Sequence, residues 1–375
     1  MTYERTQIEK APEIMYLEDF EGARLSLNPQ RRLEEVRKRA RKFREKMLSM
    51  APVSYFKSIP LVRVPYPTRY GFFAVFNEVT LVSPILHITN RLFVIQYKTQ
   101  LGMKTLLFSP SDIMANAETR FFKRFAGGIL LGLEGEEYRL LKDLAQQVIA
   151  PFYTTVEDAL RRLGISPEEV DYITYDHLHT QDLRRWLGDG RQKPYFPNAK
   201  LIVMKEEWES AKGLLPPQRD WYCPGGIDGV PEEKVILLDG DVLLGEGVAL
   251  VKTPGHTFGN HSLVVRLSKG LLVSSENGIS PESYAPHNSA NEAIRKYALK
   301  TGVEVILNGN TQESGLEQYI SMVMEKEIAG PSWYHSDFPS ILNSSQFSSY
   351  WMFPGLSPTF EFPDIEEGQY RAASK

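Results

Sequence analysis

Residues 171–186 read Asp171-Tyr-Ile-Thr-Tyr-Asp-His-Leu-His-Thr-Gln-Asp-Leu-Arg-Arg-Trp186, and the first five of them predict a short buried strand. His177 and His179 follow that strand two positions apart, and on extended backbone two such side chains point the same way. Neutral imidazoles that converge on one point suit a borderline metal ion such as zinc. The alternative is a loop at a strand end that carries ordinary exposed histidines.

The composition is that of an ordinary globular protein. The chain has 375 residues, of which 42% are hydrophobic and 24% charged, which is enough apolar material for a sizeable core. The formal net charge of −4 and a pI near 6.1 argue against a nucleic-acid-binding protein, which usually carries a basic face. A single cysteine, Cys223, excludes an internal disulfide framework and fits a reducing compartment.

Targeting and membrane segments are not apparent in the sequence. Residues 1–10 lack the apolar core of a secretory signal, and no apolar run approaches the length of a transmembrane helix. We therefore expect a cytoplasmic protein without a transmembrane segment.

The central part of the chain alternates between strand and helix patterns. Strands, rich in β-branched and aromatic residues, are predicted at 60–65, 70–76, 91–97, 105–108, 171–175, 198–204, 235–238, 248–252, 263–266, 271–273 and 303–307. Helices are predicted at about 112–126, 134–149, 155–163, 206–212 and 315–328. The helix at 155–163 has a good start signal and is stopped by Gly164.

The two ends of the chain differ from this central part. Residues 1–55 contain a helix at about 30–50, with Asn28 suited to the N-cap, an apolar stripe and a strongly basic surface. Residues 313–375 contain a helix and an aromatic-rich tail, which we expect to pack on a central domain of residues 56–312. The simplest interpretation docks the basic helix on that domain. A homodimer contact through the helix or the tail, an anionic membrane surface and an acidic partner are alternatives.

Two further stretches place metal-ligand residue types at strand ends. The turn Thr253-Pro-Gly-His-Thr257 places His256 after one predicted strand, and Glu276 follows another. Together with the helix, turn and strand that lead into His177, this order resembles the metallo-β-lactamase-fold hydrolase superfamily. The resemblance covers the predicted central domain. It implies an α/β fold, a four-layer αββα sandwich, with a metal site at one edge between the two sheets.

The resemblance implies that the family's first metal site is complete in this chain. The two histidines of the family's H-x-H motif fall on His177 and His179, and the third falls on His256. The family's bridging aspartate falls on Glu276, which keeps the carboxylate but carries it on a longer side chain. We expect zinc here, because histidines and a carboxylate are typical donors for that ion.

The family's second metal site is altered. Its Asp-His pair falls on Gln181 and Asp182, and its last histidine falls on Asn310. Three alternatives stay open. The first site alone holds one metal ion, or a second ion such as iron or manganese binds in an oxygen-rich pocket of Asp182, Glu276 and Asn310. In the third alternative the site binds metal weakly and catalyses nothing.

The predicted metal site with three histidine ligands indicates that the protein is a hydrolase. A metal ion in such a site lowers the pKa of a bound water from its much higher value in bulk water to about 7, which yields a hydroxide able to attack a carbonyl or phosphorus centre. Asp182 or Glu276 is the expected catalytic carboxylate, which orients the water or moves its proton. We expect a small-molecule ester, lactone, thioester or amide as the substrate. A non-haem iron redox enzyme on the same fold and a catalytically inactive metal-binding protein are the alternatives.

Other reactive side chains receive structural interpretations. Cys223 has no recognisable histidine base beside it, so we expect no nucleophilic role. Arg184 and Arg185 are expected as surface charges, with an anionic substrate as their alternative partner. The four histidines outside the motifs are interpreted as core, loop or tail residues: His87, His261, His287 and His335.

Overall fold

The computed structural model describes residues 8, 10–75, 83–123, 150–311, 313–351 and 356–372. The strands are β1 Met15–Tyr16, β2 Tyr55–Pro67, β3 Ile85–Thr99, β4 Gly102–Phe108, β5 Tyr172–Thr174, β6 Lys200–Met204, β7 Val235–Leu238, β8 Val242–Gly245, β9 Val248–Lys252, β10 His261–Leu267, β11 Gly270–Ser274, β12 Ser345–Ser348 and β13 Glu366–Gly368.

The helices of the same ranges are α1 Pro29–Leu48, α2 Thr68–Gly71, α3 Ile113–Ala117, α4 Val156–Leu163, α5 Arg184–Leu187, α6 Lys205–Lys212, α7 Pro216–Arg219, α8 Pro281–Tyr284, α9 Glu292–Thr301 and α10 Gly315–Ala329. Short 3₁₀ helices lie at Pro167–Glu169, Glu232–Lys234 and Pro286–Asn288. None of the helices in the described ranges combines the length and the apolarity that crossing a bilayer requires.

The strands form two sheets. The larger sheet has the order β13-β2-β3-β4-β5-β6-β7, with β12 paired to β3, and the smaller has the order β1-β8-β9-β10-β11. The smaller sheet is antiparallel throughout, whereas β4, β5, β6 and β7 of the larger sheet run parallel. Parallel strands share one carboxyl-terminal edge, so the loops that follow β5 and β6 open on the same side of the sheet.

Both faces of each sheet are buried. In β6, Ile202 lies in the hydrophobic cluster between the sheets, whereas Leu201 lies in the cluster under the outer helices. In β9 of the smaller sheet, Leu250 lies between the sheets and Val251 lies on the outer side. Successive side chains of a strand point to opposite faces, so strands buried on both faces must be apolar at nearly every position.

Helices cover the outer face of each sheet. The cluster on the larger sheet includes residues of α4, α5 and α6, and the cluster on the smaller sheet includes residues of α1 and α10. The layers therefore run helix, sheet, sheet, helix, and the αββα sandwich predicted from the sequence is confirmed.

The basic helix α1 is part of one outer layer. Asn28 caps it, since Asn28 Oδ1 accepts a hydrogen bond from the Arg31 N–H at 3.1 Å. Its inward side chains are fully buried: Val36, Ala40, Phe43 and Met47. Arg37 forms ion pairs with Glu304 at 2.7 Å and with Glu327 of α10 at 2.6 Å. The helix is thus docked on the sandwich, and part of its positive charge is neutralised within the chain.

The C-terminal tail also packs on the sandwich. β12 pairs with β3 and β13 pairs with β2, so both strands extend the larger sheet. Arg91 of β3 donates a hydrogen bond to Asp364 Oδ1 at 2.6 Å, and Phe338 and Phe362 are buried. The domain boundaries around residues 56–312 stay predictions, as does a homodimer contact through either end of the chain.

The strand predicted at 70–76 is wrong for its described residues. The chain leaves β2 at Pro67 and forms the short helix α2, after which Phe72 packs edge-on against Phe347 with ring centroids 5.7 Å apart. An apolar run of this length fits a buried turn as well as a strand, so periodicity alone does not separate the two. The helix predicted at 134–149 lies outside the described residues.

The strand predicted at 303–307 is also wrong. Its backbone groups bond to loops: the Ile306 N–H donates to Ser283 O at 2.7 Å, and Leu307 O accepts from the Phe73 N–H at 3.0 Å. These bonds satisfy a buried extended segment without a neighbouring strand.

Replacing Phe43 with Ala tests whether α1 is part of the folded unit. Phe43 has 0% exposure and packs edge-on against Phe20, with ring centroids 5.4 Å apart. We expect the free energy of unfolding to fall by about 3–5 kcal/mol, the usual loss for a buried phenylalanine. Urea denaturation measures it. The control Leu299→Ala, at a position 67% exposed, should change stability by less than about 0.5 kcal/mol. If Phe43→Ala lowered the free energy of unfolding no more than the control does, α1 would not be an integral layer of the fold.

Candidate metal centre

Three histidines meet at one edge of the sandwich. His177 and His179 follow β5 of the larger sheet, and His256 lies in the turn between β9 and β10 of the smaller sheet. Their ring centroids lie 4.5, 4.7 and 5.0 Å apart, and one ring nitrogen from each lies within 4.8 Å of the other two. All three side chains are buried. The structure therefore brings together the three histidines that the sequence predicted as ligands.

The loop after β5 joins the two sheets at this edge. The backbone oxygen of Asp176 accepts a hydrogen bond from the His261 N–H at 3.0 Å, and Asp176 Oδ2 accepts one from the Glu276 N–H at 2.7 Å. The His261 ring lies 3.2 Å from Thr174 Oγ1, and burial lowers its pKa to about 4. His261 is thus a buried strand residue beside the cluster, as predicted, and not one of the three clustered histidines.

His177 is oriented by the carboxylate that precedes it. The Nδ1–H donates to Asp176 Oδ1 at 3.1 Å, so Nε2 is the nitrogen that remains for a ligand. Burial lowers the pKa of His177, but the charge of Asp176 outweighs that effect and raises it to about 9. A cation at Nε2 would take the place of the proton that Asp176 stabilises.

His256 is fixed through its backbone and its ring. The His256 N–H donates to Asn277 Oδ1 at 2.9 Å, and Nδ1–H donates to the backbone oxygen of Asn308 at 2.8 Å. This ring also keeps Nε2 for a ligand. Burial and the nearby His177 lower the pKa of His256 to about 3, so the ring is neutral, which is the state that binds metal.

His179 has the least complete hydrogen bonding of the three. Its Nδ1 lies 3.5 Å from Asn310 Nδ2, and its buried Nε2 has no partner in the described part of the chain. Tyr222 packs edge-on against the ring, with centroids 4.8 Å apart. Burial lowers the pKa of His179 well below its ordinary value. A buried imidazole with so few partners is costly unless a ligand completes it.

A divalent metal ion fits this cluster. Three buried imidazoles converge on one point, and two of them keep Nε2 after their Nδ1 hydrogen bonds are made. Imidazole donors held in place by carboxylate and carbonyl oxygens are typical of zinc centres, and iron also uses them. The residues present therefore fit the ion that the sequence predicted.

Glu276 lies on the wall of the same cavity. Its Oε1 accepts a hydrogen bond from Ser344 Oγ at 2.7 Å, and burial together with the neighbouring Asp176 raises its pKa. Among the described residues, the group of ligand atoms within 4.8 Å contains the three histidines and does not extend to Glu276. Its roles as ligand and catalytic carboxylate stay predictions, and its place on the cavity wall is in their favour.

The altered positions of the second site divide into two groups. Gln181 and Asn310 line the cavity beside the histidines. Asp182 is not among the described residues that line it, because Arg184 holds its carboxylate. Arg184 Nε donates to Asp182 Oδ1 at 2.9 Å, and Nη2 contacts Oδ2. The structure does not bring Asp182 to the histidines, so its predicted metal and catalytic roles receive no support from this geometry.

Glu207 is a supporting residue that the sequence pattern did not reveal. The side chain has 0% exposure. Its Oε1 accepts hydrogen bonds from the Leu178 N–H and the Tyr222 hydroxyl, each at 2.8 Å, and its Oε2 accepts one from Thr257 Oγ1 at 2.6 Å. Burial raises the pKa of Glu207. Leu178 lies between two of the histidines and Thr257 follows the third, so one carboxylate holds both loops.

Helix α10 supports His256 from behind. Gln318 Nε2 donates to the backbone oxygens of Asn277 and Asn308, at 2.9 and 2.8 Å. Glu325 Oε1 accepts a hydrogen bond from Asn277 Nδ2 at 2.7 Å. Because Asn277 and Asn308 hold the backbone and ring of His256, these two helix side chains position that histidine.

The other reactive side chains lie apart from the cluster. Burial raises the pKa of Cys223 to about 11, and its Sγ lies 3.7 Å from Ala115 O, so the thiol is not activated. Arg185 pairs with Asp112 at 2.8 Å. The remaining histidines are structural, as predicted: His87 in β3, His287 in an exposed 3₁₀ turn and His335 in the tail.

The histidines border a cavity of about 700 Å³. Apolar and aromatic side chains dominate its walls, among them Val62, Tyr66, Ile88, Trp221 and Ile279. A cavity of this size and character can enclose a small organic molecule, with polar groups concentrated where the chemistry takes place.

Proteins of known activity are similar to this chain. It is 32% identical over 114 residues to an N-acyl homoserine lactonase of Bacillus cereus, a match that covers 30% of this chain and 40% of that protein. It is 36% identical over 128 residues to the N-acyl homoserine lactonase AttM of Rhizobium radiobacter, with coverage of 31% and 44%. The chain therefore spans about half the length of the curated relatives it matches.

No family model matches the chain. Among solved structures, the dizinc quorum-quenching lactonase AidC aligns with 86% of this chain and 97% of its own, at 12% identity and a TM-score of 0.48. The predicted resemblance to the metallo-β-lactamase-fold hydrolase superfamily is confirmed by the lactonase relatives and by the two-sheet sandwich with its histidine cluster. The chain has a metallo-β-lactamase-like αββα sandwich fold.

Replacing Glu207 tests whether its carboxylate assembles the cluster. In Glu207→Ala three buried donors lose their acceptor, at about 1–3 kcal/mol each, so we expect a clear loss of thermal stability. We also expect zinc affinity, measured by competition with a chelating dye, to fall roughly 10- to 100-fold. Glu207→Gln keeps an acceptor for Leu178 and should retain most of both properties. Parent-like zinc affinity in Glu207→Ala would contradict this role.

The pH dependence of stability tests the environment of Glu325. Burial raises its pKa from 4.5 to about 7, although Asn277, Tyr284 and Ser262 all donate hydrogen bonds to it. Between those pH values the folded state keeps a proton that the unfolded state has released, so stability falls as pH rises. Glu325→Gln removes this dependence. Urea denaturation measures the free energy of unfolding at pH 5 and at pH 8. Between these pH values that free energy should fall by up to about 3 kcal/mol more in the parent than in the variant.

The control for this measurement lies two residues away on the same helix. Arg37 and Arg41 outweigh burial and lower the pKa of Glu327, so its contribution has the opposite sign and is lost as pH falls. Glu327→Gln should therefore weaken the protein at pH 8 more than at low pH. A Glu325→Gln variant with the pH profile of the parent would show that the buried carboxyl does not titrate in this range.

Proposed function

We propose that this chain is a metal-dependent hydrolase that opens a lactone. The observation that carries the proposal is the convergence of His177, His179 and His256 beside a largely apolar cavity of about 700 Å³. The similarity to N-acyl homoserine lactonases supports a cyclic ester as the substrate. A lactone is small and uncharged, which suits a cavity whose walls are largely apolar and aromatic.

The three histidines would hold the divalent ion, with Glu276 as a candidate fourth donor. When bound, the ion would polarise the substrate carbonyl and lower the pKa of a water molecule. Zinc is the favoured ion because the donors are mainly imidazoles. One ion is the favoured number, because Arg184 already holds the Asp182 carboxylate that a second ion would need.

The protein's own groups would orient the donors and move the proton. Asp176 fixes the His177 ring through Nδ1, and Asn308 does the same for His256. The Glu276 carboxylate accepts a hydrogen bond from Ser344 and lines the cavity. It would take a proton from the attacking water and pass it to the ring oxygen that leaves. Proton transfer of this kind contributes roughly 10²–10⁴ in rate. The redox and inactive alternatives gain no support from the lactonase relatives.

Removing two of the histidines tests the proposal directly. The protein is purified without added metal, and zinc, iron and manganese per chain are measured by elemental analysis in the parent and in His177→Ala/His179→Ala. We expect about one zinc per chain in the parent and none in the variant, because a single imidazole binds zinc weakly. Hydrolysis of N-hexanoyl homoserine lactone and of an unsubstituted γ-lactone should fall at least about 1,000-fold, because the variant lacks the ion that activates water.

The control is His287→Ala, which removes an exposed histidine and should leave metal content and turnover unchanged. A parent without metal after reconstitution, or a metal-free variant with parental turnover, would overturn the proposal. Two iron ions per chain would support the redox alternative instead.

A further inference from the structure

We propose that Gln181 and Asn310 form a hydrogen-bonding pair that recognises a secondary amide in the substrate. This inference rests on the proposed function and adds the group that selects among uncharged lactones. Both residues line the cavity that contains the three histidines.

The two amides are not satisfied by the protein. Gln181 is 8% exposed, its Oε1 is buried without a partner in the described part of the chain, and its Nε2 reaches Thr180 Oγ1 only at 3.5 Å. Asn310 Oδ1 is likewise buried without a partner among the described residues, and Asn310 Nδ2 lies 3.5 Å from His179 Nδ1. Buried polar atoms are normally hydrogen-bonded, so incomplete amides that line one cavity indicate a polar ligand.

The backbone that carries Gln181 is strained. Thr180 has a φ of 64°, a left-handed conformation that is unfavourable for a β-branched residue. Its N–H donates to Trp221 O at 2.6 Å, which holds the residue in that conformation. Strain of this kind persists where the surroundings over-determine it and is common at ligand sites. Here it fixes the position from which Gln181 enters the cavity wall.

The chemistry of the pair selects the ligand. A primary amide presents both an acceptor and a donor, and rotation about its terminal bond exchanges their positions. An ester or a carboxylate provides acceptors alone and would leave the amide oxygens unpaired. A secondary amide provides an N–H donor and a carbonyl acceptor.

A second metal ion is the competing explanation for these two residues. Amide oxygens bind hard cations weakly unless carboxylates join them. Of the two carboxylates predicted for a second ion, Asp182 is held by Arg184, which leaves Glu276 alone. The two explanations differ in metal content. Loss of the amides lowers the number of ions per chain if they are ligands and leaves it unchanged if they bind substrate.

Calorimetric titration with two cyclopentanones tests the inference without requiring turnover, because their ring keeps the carbonyl of a lactone but has neither a bond to hydrolyse nor an N–H group. One cyclopentanone carries a hexanoylamino side chain, and the other carries an alkyl side chain of equal length. We expect the metal-loaded parent to bind the first on the order of tenfold more tightly, the value of one or two good hydrogen bonds. In Gln181→Leu and Asn310→Leu the ratio of the two binding affinities should fall towards one, and the number of metal ions per chain should stay unchanged. Gln181→Met keeps the side-chain length and replaces Gln181→Leu if that variant does not fold.

The matched control is Asn90→Leu, which removes an amide from the same cavity. Asn90 Nδ2 donates to Ser345 Oγ at 3.0 Å, whereas its Oδ1 is buried without a partner among the described residues, so the variant tests whether any incomplete amide of the cavity would serve. We expect Asn90→Leu to keep the preference for the ligand with the amide side chain. A preference unchanged in the Gln181 and Asn310 variants, a preference lost equally in Asn90→Leu, or a loss of metal from Asn310→Leu would each overturn the inference. Lactone hydrolysis is measured separately, so failure of the proposed function would not be confused with failure of the amide pair.

Discussion

The buried carboxylate of Glu207 is the interaction on which the geometry of the site depends. An ionisable side chain with 0% exposure is tolerated only where donors surround it. Two of its donors belong to different sheets, because Leu178 follows β5 and Thr257 precedes β10. Movement of either loop would remove one of the three donors that this buried acid depends on. The same contact requires glycine at position 259, where a side chain would collide with the backbone of Glu207.

Support for the histidines continues into the ends of the chain. Gln318 and Glu325 of α10 act on His256 through Asn277, and Arg37 of α1 is paired with Glu327 of the same helix. At the other end, the hydroxyl that holds Glu276 comes from Ser344, just before β12. Residues outside 56–312 therefore orient donors inside it. Hydrogen bonds to ligand side chains change metal affinity, so these segments contribute to the site as well as to the core.

The sequence revealed the residues whose roles follow from local spacing. His177 and His179 lie two apart on extended backbone, so their convergence needs no knowledge of the rest of the chain. The contact of Asp182 with Arg184, two residues further on, could not be foreseen, because a ligand pattern does not show which acid will pair with a cationic side chain. The predicted roles of Asp182 stay predictions. Glu207 could not be singled out, because it stands beside Glu206 and only the docking of α6 decides which of the two is buried.

Distant partners explain the rest of what the sequence did not reveal. Gln318 reaches Asn277 across 41 residues, and Ser344 reaches Glu276 across 68. Such contacts form only after the two sheets, the outer helices and the C-terminal tail have packed together. The end of a helix, by contrast, could be predicted from local sequence. Gly164 was expected to stop α4, and it follows the helix in the left-handed conformation with a φ of 69°.

The Arg184–Asp182 pair also helps to fix the loop that follows His179. A metal site usually depends on its ion to hold ligand loops in place, because ligand charges repel or remain unpaired in the apo protein. Here Arg184 neutralises the carboxylate of Asp182, and the backbone of Leu183 is tied to Gly226 by a hydrogen bond of 2.7 Å. These contacts hold the loop after His179 through protein groups other than the histidine rings. Recognition of the substrate by Gln181, as proposed, would therefore be separable from binding of the ion by the neighbouring histidine.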